Sequence, residues 1–372
     1  MTAAFKSTLR LGLVNLAILA LLLLVAEAFL WLFMPIGERG LDKTFQQAIA
    51  GLRPVIRYTE IAPSIRARSA RVPQKRPDTT RILCIGASTT QQTTQQIEDS
   101  WCGALEERLQ ALLGGTGKKV ETLSTGRGGQ RVVDTAMHLQ DVVRTWKPDI
   151  VITLLGLNDL ALNGGPGYVP RRVETSANKR RWTCATYLQL CRLVAEARAA
   201  LQLKANLNQG AVVEWHSAGL RNLQSQYKAL PFQDTPIRNP DPIDEFRSNI
   251  AWMLGYLQKS GIATLVLGQP VLWKAGMTAA ETEALWFAVA TPAGRVRTSG
   301  SWLNREMQRY NTVQAEAAAR HGAAYLDLDA RLPKTLDTYF DDCHFTDKGS
   351  AAVAELVAPA AKRVLDRLPG HR

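Results

Sequence analysis

Hydrophobic positions along this chain fall into distinct patterns. From Leu11 to Met34 the run is apolar almost without a break, interrupted strongly only by Asn15 and Glu27. Further on, short β-branched or aliphatic runs predict strands over Arg81–Ile85, Lys119–Leu123, Ile150–Leu155, Ala263–Leu267 and Ala324–Leu328. Several are apolar on both faces, as strands covered on both sides by helices must be. Between them, apolar residues recur at spacings of three and four and predict helices. One set is Trp101, Leu105, Leu109 and Leu112; another is Val132, Ala136, Leu139, Val143 and Trp146. A third is Ile243, Phe246, Ile250, Met253 and Leu257, and a last helix carries Val353, Val357, Ala360 and Val364, with Pro359 expected to bend or shorten it. Strand–helix alternation of this kind predicts an α/β fold with a parallel sheet, whose ligands bind at the carboxyl ends of the strands.

The N-terminal run is long enough to matter by itself. A helix over 11–34 would reach roughly 36 Å at about 1.5 Å per residue, against a hydrocarbon core of about 30 Å. Lys6 and Arg10 precede it with no acid before them, which predicts a cytoplasmic start at 1–10 and export of the remainder. Cleavage after Ala26-Glu27-Ala28 is the competing reading, but Phe29-Leu-Trp-Leu-Phe-Met34 continues the run past it. No Cys follows the run to take a lipid, and Glu27 is expected near the outer interface or against a partner helix.

Composition changes this picture little. With 372 residues, 21% charged and 46% hydrophobic, the chain is neither disordered nor fibrous. Its charge of +12 is not a property of the anchor, because removing Lys6, Arg10 and Glu27 still leaves an excess of 11 basic residues. Arg66, Arg68, Arg71, Lys75, Arg76 and Arg81 form one basic stretch, with Pro63, Pro73 and Pro77 among them. Arg171, Arg172, Lys179, Arg180 and Arg181 form another. No recognition motif accompanies the charge, so a solvated face beside a membrane is expected rather than nucleic-acid binding. The organisation expected is a linker over 35–80 and a domain over 81–372, interrupted at about 160–240 by an inserted subdomain or lid. That insertion carries Gly164-Gly-Pro-Gly167, a helix near Ala185–Ala205 and Trp215-His216.

The candidate chemistry stands where the strands end. Gly86-Ala87-Ser88-Thr89-Thr90 follows the first strand and would present a hydroxyl there, although a helix-capping serine would look the same. Ser124-Thr-Gly126-Arg-Gly128-Gly129-Gln130 follows the second and would let backbone N–H groups approach a ligand, as a plain tight turn would also explain. Gly156-Leu157-Asn158-Asp159 follows the third, and an Asn amide there can donate to a developing oxyanion. Asp341-Asp342-Cys343-His344 precedes the last helix, where Asp and His three apart can hold a base and its orienter. No phosphate loop or dinucleotide fingerprint is present, and His138, His216, His321 and His371 stand in no ligand-like spacing, so neither cofactor nor metal is expected.

The order Ser, Gly, Asn, then Asp-x-x-His resembles the SGNH/GDSL hydrolase superfamily, named for those blocks. The resemblance implies a three-layer α/β/α flavodoxin-like sandwich and acyl-ester chemistry. It makes Ser88 the nucleophile, His344 the general base and Asp341 its orienter, with Asp342 wrongly spaced for that role. It draws the oxyanion hole from the Ser88 and Gly129 N–H groups and the Asn158 amide. Ala87 stands where the family usually has Asp, and Ser124 where its second block commonly begins with Asn.

Joined to the anchor, this implies a serine esterase held by one helix in the cytoplasmic membrane and facing outward. Its substrate would be an O-acyl ester, such as one on a cell-envelope or exported glycan. An O-acyltransferase using the same residues and a non-catalytic glycan-binding protein are the alternatives. Trp182, Trp215, Trp273, Trp286 and Trp302 are candidates for a sugar platform, though core packing explains Trp as well. Of five cysteines, Cys84 is expected as a small strand residue and Cys102 as a helix-start residue. Cys184 and Cys191 could bond only across a helix break, since seven helical residues rise about 10.5 Å. No disulfide framework is expected.

Overall fold

The computed structural model describes residues 3–33, 75–92, 95, 98–114, 117–173 and 211–368. The chain divides into two units, Met1–Gly51 with Arg180–Ala211 and Leu52–Lys179 with Val212–Arg372. In the first, α1 (Ala3–Phe33) is one continuous helix without an acidic residue in its first turn. Among the described residues, no helix is long and apolar enough to cross a membrane.

The second unit is built on β1 (Thr79–Gly86), β2 (Lys119–Ser124), β3 (Ile150–Leu154), β4 (Ala263–Leu267) and β7 (Ala324–Leu326). All pair in parallel, in the order β2-β1-β3-β4-β7. Alternate residues of β1 separate the two layers beside the sheet. Leu83 and Ile85 face a core with α4 (Val132–Trp146), α7 (Ile243–Lys259) and α9 (Gly300–Arg320). Ile82 and Cys84 face another core with α3 (Trp101–Leu113) and α10 (Asp347–Leu365). The expected α/β fold with a parallel sheet is therefore present, with helices on both faces. The strand order reverses beside β1, so the carboxyl ends of β1, β2 and β3 open a crevice at the switch point.

Several local expectations need correction. α10 continues past Pro359 to Leu365, so the proline does not shorten it. β7 stops at Leu326, two residues early, because its one partner, β4, ends opposite it at Leu267. Cys84 and Cys102 form a disulfide, contrary to the expectation of unpaired roles. The inward face of β1 puts Cys84 against the first turn of α3, with 6.4 Å between Cα atoms, an ordinary span for a bridge. An element no pattern announced lies between β4 and α9. It comprises α8 (Ala279–Glu283) and an antiparallel hairpin of β5 (Val289–Thr291) and β6 (Gly294–Val296). Within the expected insertion, the described parts are the end of α5 (Leu157–Leu162), the loop to Val173 and, from Ala211, α6 (Ala211–Ala229) with the segment 230–240 after it. Most of the linker, the helix near 185–205, Cys184, Cys191, Trp182 and His371 lie outside the described residues.

Candidate active site

β1 delivers Ser88 to the crevice through a turn that admits only small residues. A side chain on Gly86 would meet the Leu154 carbonyl oxygen at 2.7 Å and Thr90 Oγ1 at 2.0 Å. Ala87, where the family usually has Asp, is buried. Ser88 opens α2 (Ser88–Gln91), yet no side chain caps that helix. The hydroxyl instead meets His344 Nε2 at 2.8 Å. The chain then leaves through Gln92 at φ 46°, a left-handed conformation uncommon for a side-chain-bearing residue. Three contacts secure it: Gln92 Oε1 accepts from the Trp101 N–H at 2.8 Å, and Nε2 donates to Ser350 Oγ at 2.5 Å and to Gln95 Oε1.

His344 and Asp341 come from one tight loop ahead of α10. Asp341 Oδ1 accepts the backbone N–H groups of Cys343 (2.9 Å) and His344 (2.8 Å). Its Oδ2 accepts from His344 Nδ1 at 2.7 Å and from the Trp286 indole Nε1 at 2.9 Å. Burial alone would raise the Asp341 carboxyl, but the facing His344 ring and these donors bring it below the ordinary value. Burial works against charge on His344 too; the Asp341 carboxylate outweighs it and raises the ring above its usual pKa. Asp342 turns away, accepting from Trp273 Nε1 and the Trp286 backbone N–H, each at 2.7 Å. Its burial, with Asp341 beside it, pushes that carboxyl up to about 7.

The glycine loop after β2 lies against the nucleophile turn. A Cβ on Gly126 would strike the Gln91 backbone nitrogen at 2.4 Å, and one on Gly128 would stand 3.9 Å from Ser88 Cβ. The Gly128 N–H is taken by Gln91 Oε1 at 2.7 Å. Gly129, at φ 73°, donates to nothing among the described residues. Ser124 accepts from the Gly126 N–H at 3.2 Å, so a shorter side chain braces the loop where the family's Asn would stand. Asn158 comes in from α5 and donates Nδ2 to the Gln130 carbonyl at 2.9 Å, leaving its second amide hydrogen for another acceptor. Asp159, wholly buried, accepts the Val132 N–H with both oxygens at 3.2 and 3.1 Å. Its burial pushes the carboxyl to about 8.

The structure thus brings Ser88, His344 and Asp341 into one hydrogen-bonded line, with Gly129 on a neighbouring loop and Asn158 at the start of α5, joined through Gln130. Such a line can pass a proton from hydroxyl to ring while the carboxylate steadies the charge. Of the tryptophans, Trp273 and Trp302 are core residues, whereas Trp286 stands beside His344. The indole lies 5° from the plane of the imidazole at 6.3 Å, and Phe340 lies 14° from it at 5.7 Å. Sequence reasoning missed Phe340, Gln91 and the link from Trp286 to Asp341, which no motif spacing signals. Asp341, Cys343 and His344 are also the group among the described residues with ligating atoms gathered within 4.8 Å. A cation there would have to displace donors from Asp341 and ionise a thiol that burial holds far above its ordinary pKa. The arrangement suits proton transfer better.

A parallel α/β sandwich with a serine–histidine–aspartate line at its carboxyl edge defines the class of serine hydrolases. Residues 84–352 match the GDSL-like lipase/acylhydrolase family, and the chain belongs to that family. With that membership the non-catalytic alternative gives way to a serine hydrolase acting on ester bonds. No curated protein matches the chain. Among solved structures it is similar to the acetyl xylan esterase AlAXEase, at 15% identity and TM-score 0.41 over 75% of this chain and 98% of that one. It is similar to Axe2 of Geobacillus stearothermophilus at 14% identity and TM-score 0.41, covering 79% and 96%. TesA matches at 14% identity and TM-score 0.43, covering 77% and 99%.

Proposed function

We propose that this chain is a membrane-anchored, outward-facing esterase that removes acyl groups from a cell-envelope or exported glycan. The observation that carries the chemistry is the unbroken line Ser88–His344–Asp341. Ser88 Oγ attacks the ester carbonyl carbon while His344 Nε2 takes its proton, and Asp341 stabilises the resulting imidazolium. The tetrahedral oxyanion is met by the Ser88 and Gly129 N–H groups and the free Asn158 amide hydrogen. Collapse breaks the bond to the alcohol, which leaves with the proton held by His344. Water, deprotonated by the same ring, then releases the acid and restores Ser88.

Three observations support the location and substrate. Lys6 and Arg10 lie in the first turns of α1, ahead of its Leu-rich run, favouring insertion with the start inside. The Cys84–Cys102 bridge suits an oxidising compartment. Trp286 and Phe340 set aromatic rings beside the base, and such faces suit a sugar ring.

The full chain in detergent, assayed with an activated acyl ester, tests this. Ser88→Ala is expected to lower turnover by about a thousandfold or more; unchanged turnover would sink the assignment. Adding glycan acceptors to the acyl-enzyme separates release to water from transfer to a hydroxyl. A periplasm-dependent reporter fused after Arg372 is expected to be active, and a silent one would overturn the orientation.

A further inference from the structure

We propose that the Trp286 indole N–H is a positioning group of the catalytic line, fixing the Asp341 carboxylate and moderating its hold on His344. The inference rests on the esterase reading and adds a residue to it. Asp341 Oδ2 has two donors, His344 Nδ1 at 2.7 Å and Trp286 Nε1 at 2.9 Å. A carboxylate oxygen that accepts two N–H groups shares its negative charge between them, so the indole weakens the pull on the imidazole.

The indole is itself held. Its backbone N–H is gripped by Asp342 Oδ2 at 2.7 Å, and the other Asp342 oxygen binds the buried Trp273 indole at 2.7 Å. The Trp286 ring packs edge-on against Phe287 at 5.9 Å and nearly parallel to His344. With ring and backbone both fixed, the N–H reaches one place, the oxygen that also orients the base. Trp286 therefore ties the segment between α8 and β5, which carries no motif, to the proton-transfer line. Titratable groups facing that line are Asp342, Cys343 and Ser88, with Tyr227 of α6 influenced by Asp342.

Trp286→Phe keeps an aromatic ring and removes the donor, and the full-length enzyme carrying it is the test. The expected result is a fall in kcat of about tenfold with KM within about twofold of wild type. Asp341, left with one donor fewer on Oδ2, should hold the His344 proton more tightly, so the acid limb of the kcat/KM profile should move to higher pH. A raised KM with unchanged kcat would mean that the ring only contacts substrate, and an unmoved limb would mean that the N–H does not act on the base. Either overturns the proposal. A second measurement on the unmodified enzyme guards against misfolding of the variant. The Trp286 indole proton should resist solvent exchange, and its NMR shift should follow the titration of His344; an exchanging or pH-independent signal overturns the proposal. If Ser88→Ala abolishes turnover while Trp286→Phe behaves as wild type, the positioning role fails and the esterase reading stands. If Ser88→Ala keeps full turnover, both fall.

Discussion

The two sides of the crevice follow opposite hydrogen-bonding rules. On the base side, both oxygens of Asp341 are engaged by Cys343, His344 and Trp286. On the oxyanion side, donors are left over. The Ser88 N–H opens a helix and has no partner within it, Gly129 N–H donates to nothing among the described residues, and Asn158 gives one of its two amide hydrogens to Gln130. A charge present throughout the cycle is best held by acceptors already saturated with donors. A charge that exists only in transit needs donors held open and already aimed.

Breaking the permanent side should cost most. Asp341→Asn retains the shape but loses the charge and the correct ring tautomer, and kcat is expected to drop about 10³–10⁴-fold in a steady-state assay. On the transient side, Asn158→Ala removes one donor and should lower kcat by about 10²–10³ with little change in KM. A larger loss for Asn158→Ala than for Asp341→Asn would reverse the comparison.

A further contrast concerns protons rather than rate. Asp159 and Asp342 have folded-state pKa values of about 8 and about 7, above the ordinary value of about 3.9. Each stays protonated in the folded chain where the unfolded chain ionises, so their stabilisation is full below about pH 4 and is lost as pH rises through 7 to 8. His344, also raised, adds the same sign above its ordinary value. Urea midpoints should therefore fall as pH rises from 5 to 8.5. Asp159→Asn should flatten that slope, and an unchanged slope would remove Asp159 from the account.

The smallest effect belongs to the glycine loop. Gly129→Ala meets no atom within 4 Å and bears only its left-handed φ, a cost of about 1–2 kcal/mol. Gly126→Ala, driven into the Gln91 backbone, should disturb folding far more. Thermal melts of the two variants, compared side by side, check the order.

The legible parts of the molecule were those fixed by local pattern. β4 was readable to the residue, because Ala263–Leu267 is a β-branched and aliphatic run bounded by turns. Ser88, Asn158, Asp341 and His344 stand at strand ends or ahead of the last helix, where caps and turns look the same, and their roles were legible only through the resemblance of their order to the SGNH/GDSL blocks. What escaped depends on contacts between distant segments. The Cys84–Cys102 bridge follows from which face of β1 meets α3, and neither residue signals this. β5 and β6 are three residues each, too short for periodicity to register. Trp286 was visible as one tryptophan among several, but its partner lies 55 residues further along the chain.

Ser88 and His344 lie 256 residues apart, and the segment after the nucleophile is latched to α10 through Ser350 and to the loop ahead of it through Phe345. A chain halted before the Asp341–His344 loop therefore has a hydroxyl without a base, and one halted before α10 lacks the Ser350 fastening of the nucleophile loop. Partial products of synthesis or proteolysis at that end would be inert toward esters, however well their sheet had formed. Activity then works as a completeness check on the polypeptide, arriving only when the final helix seats.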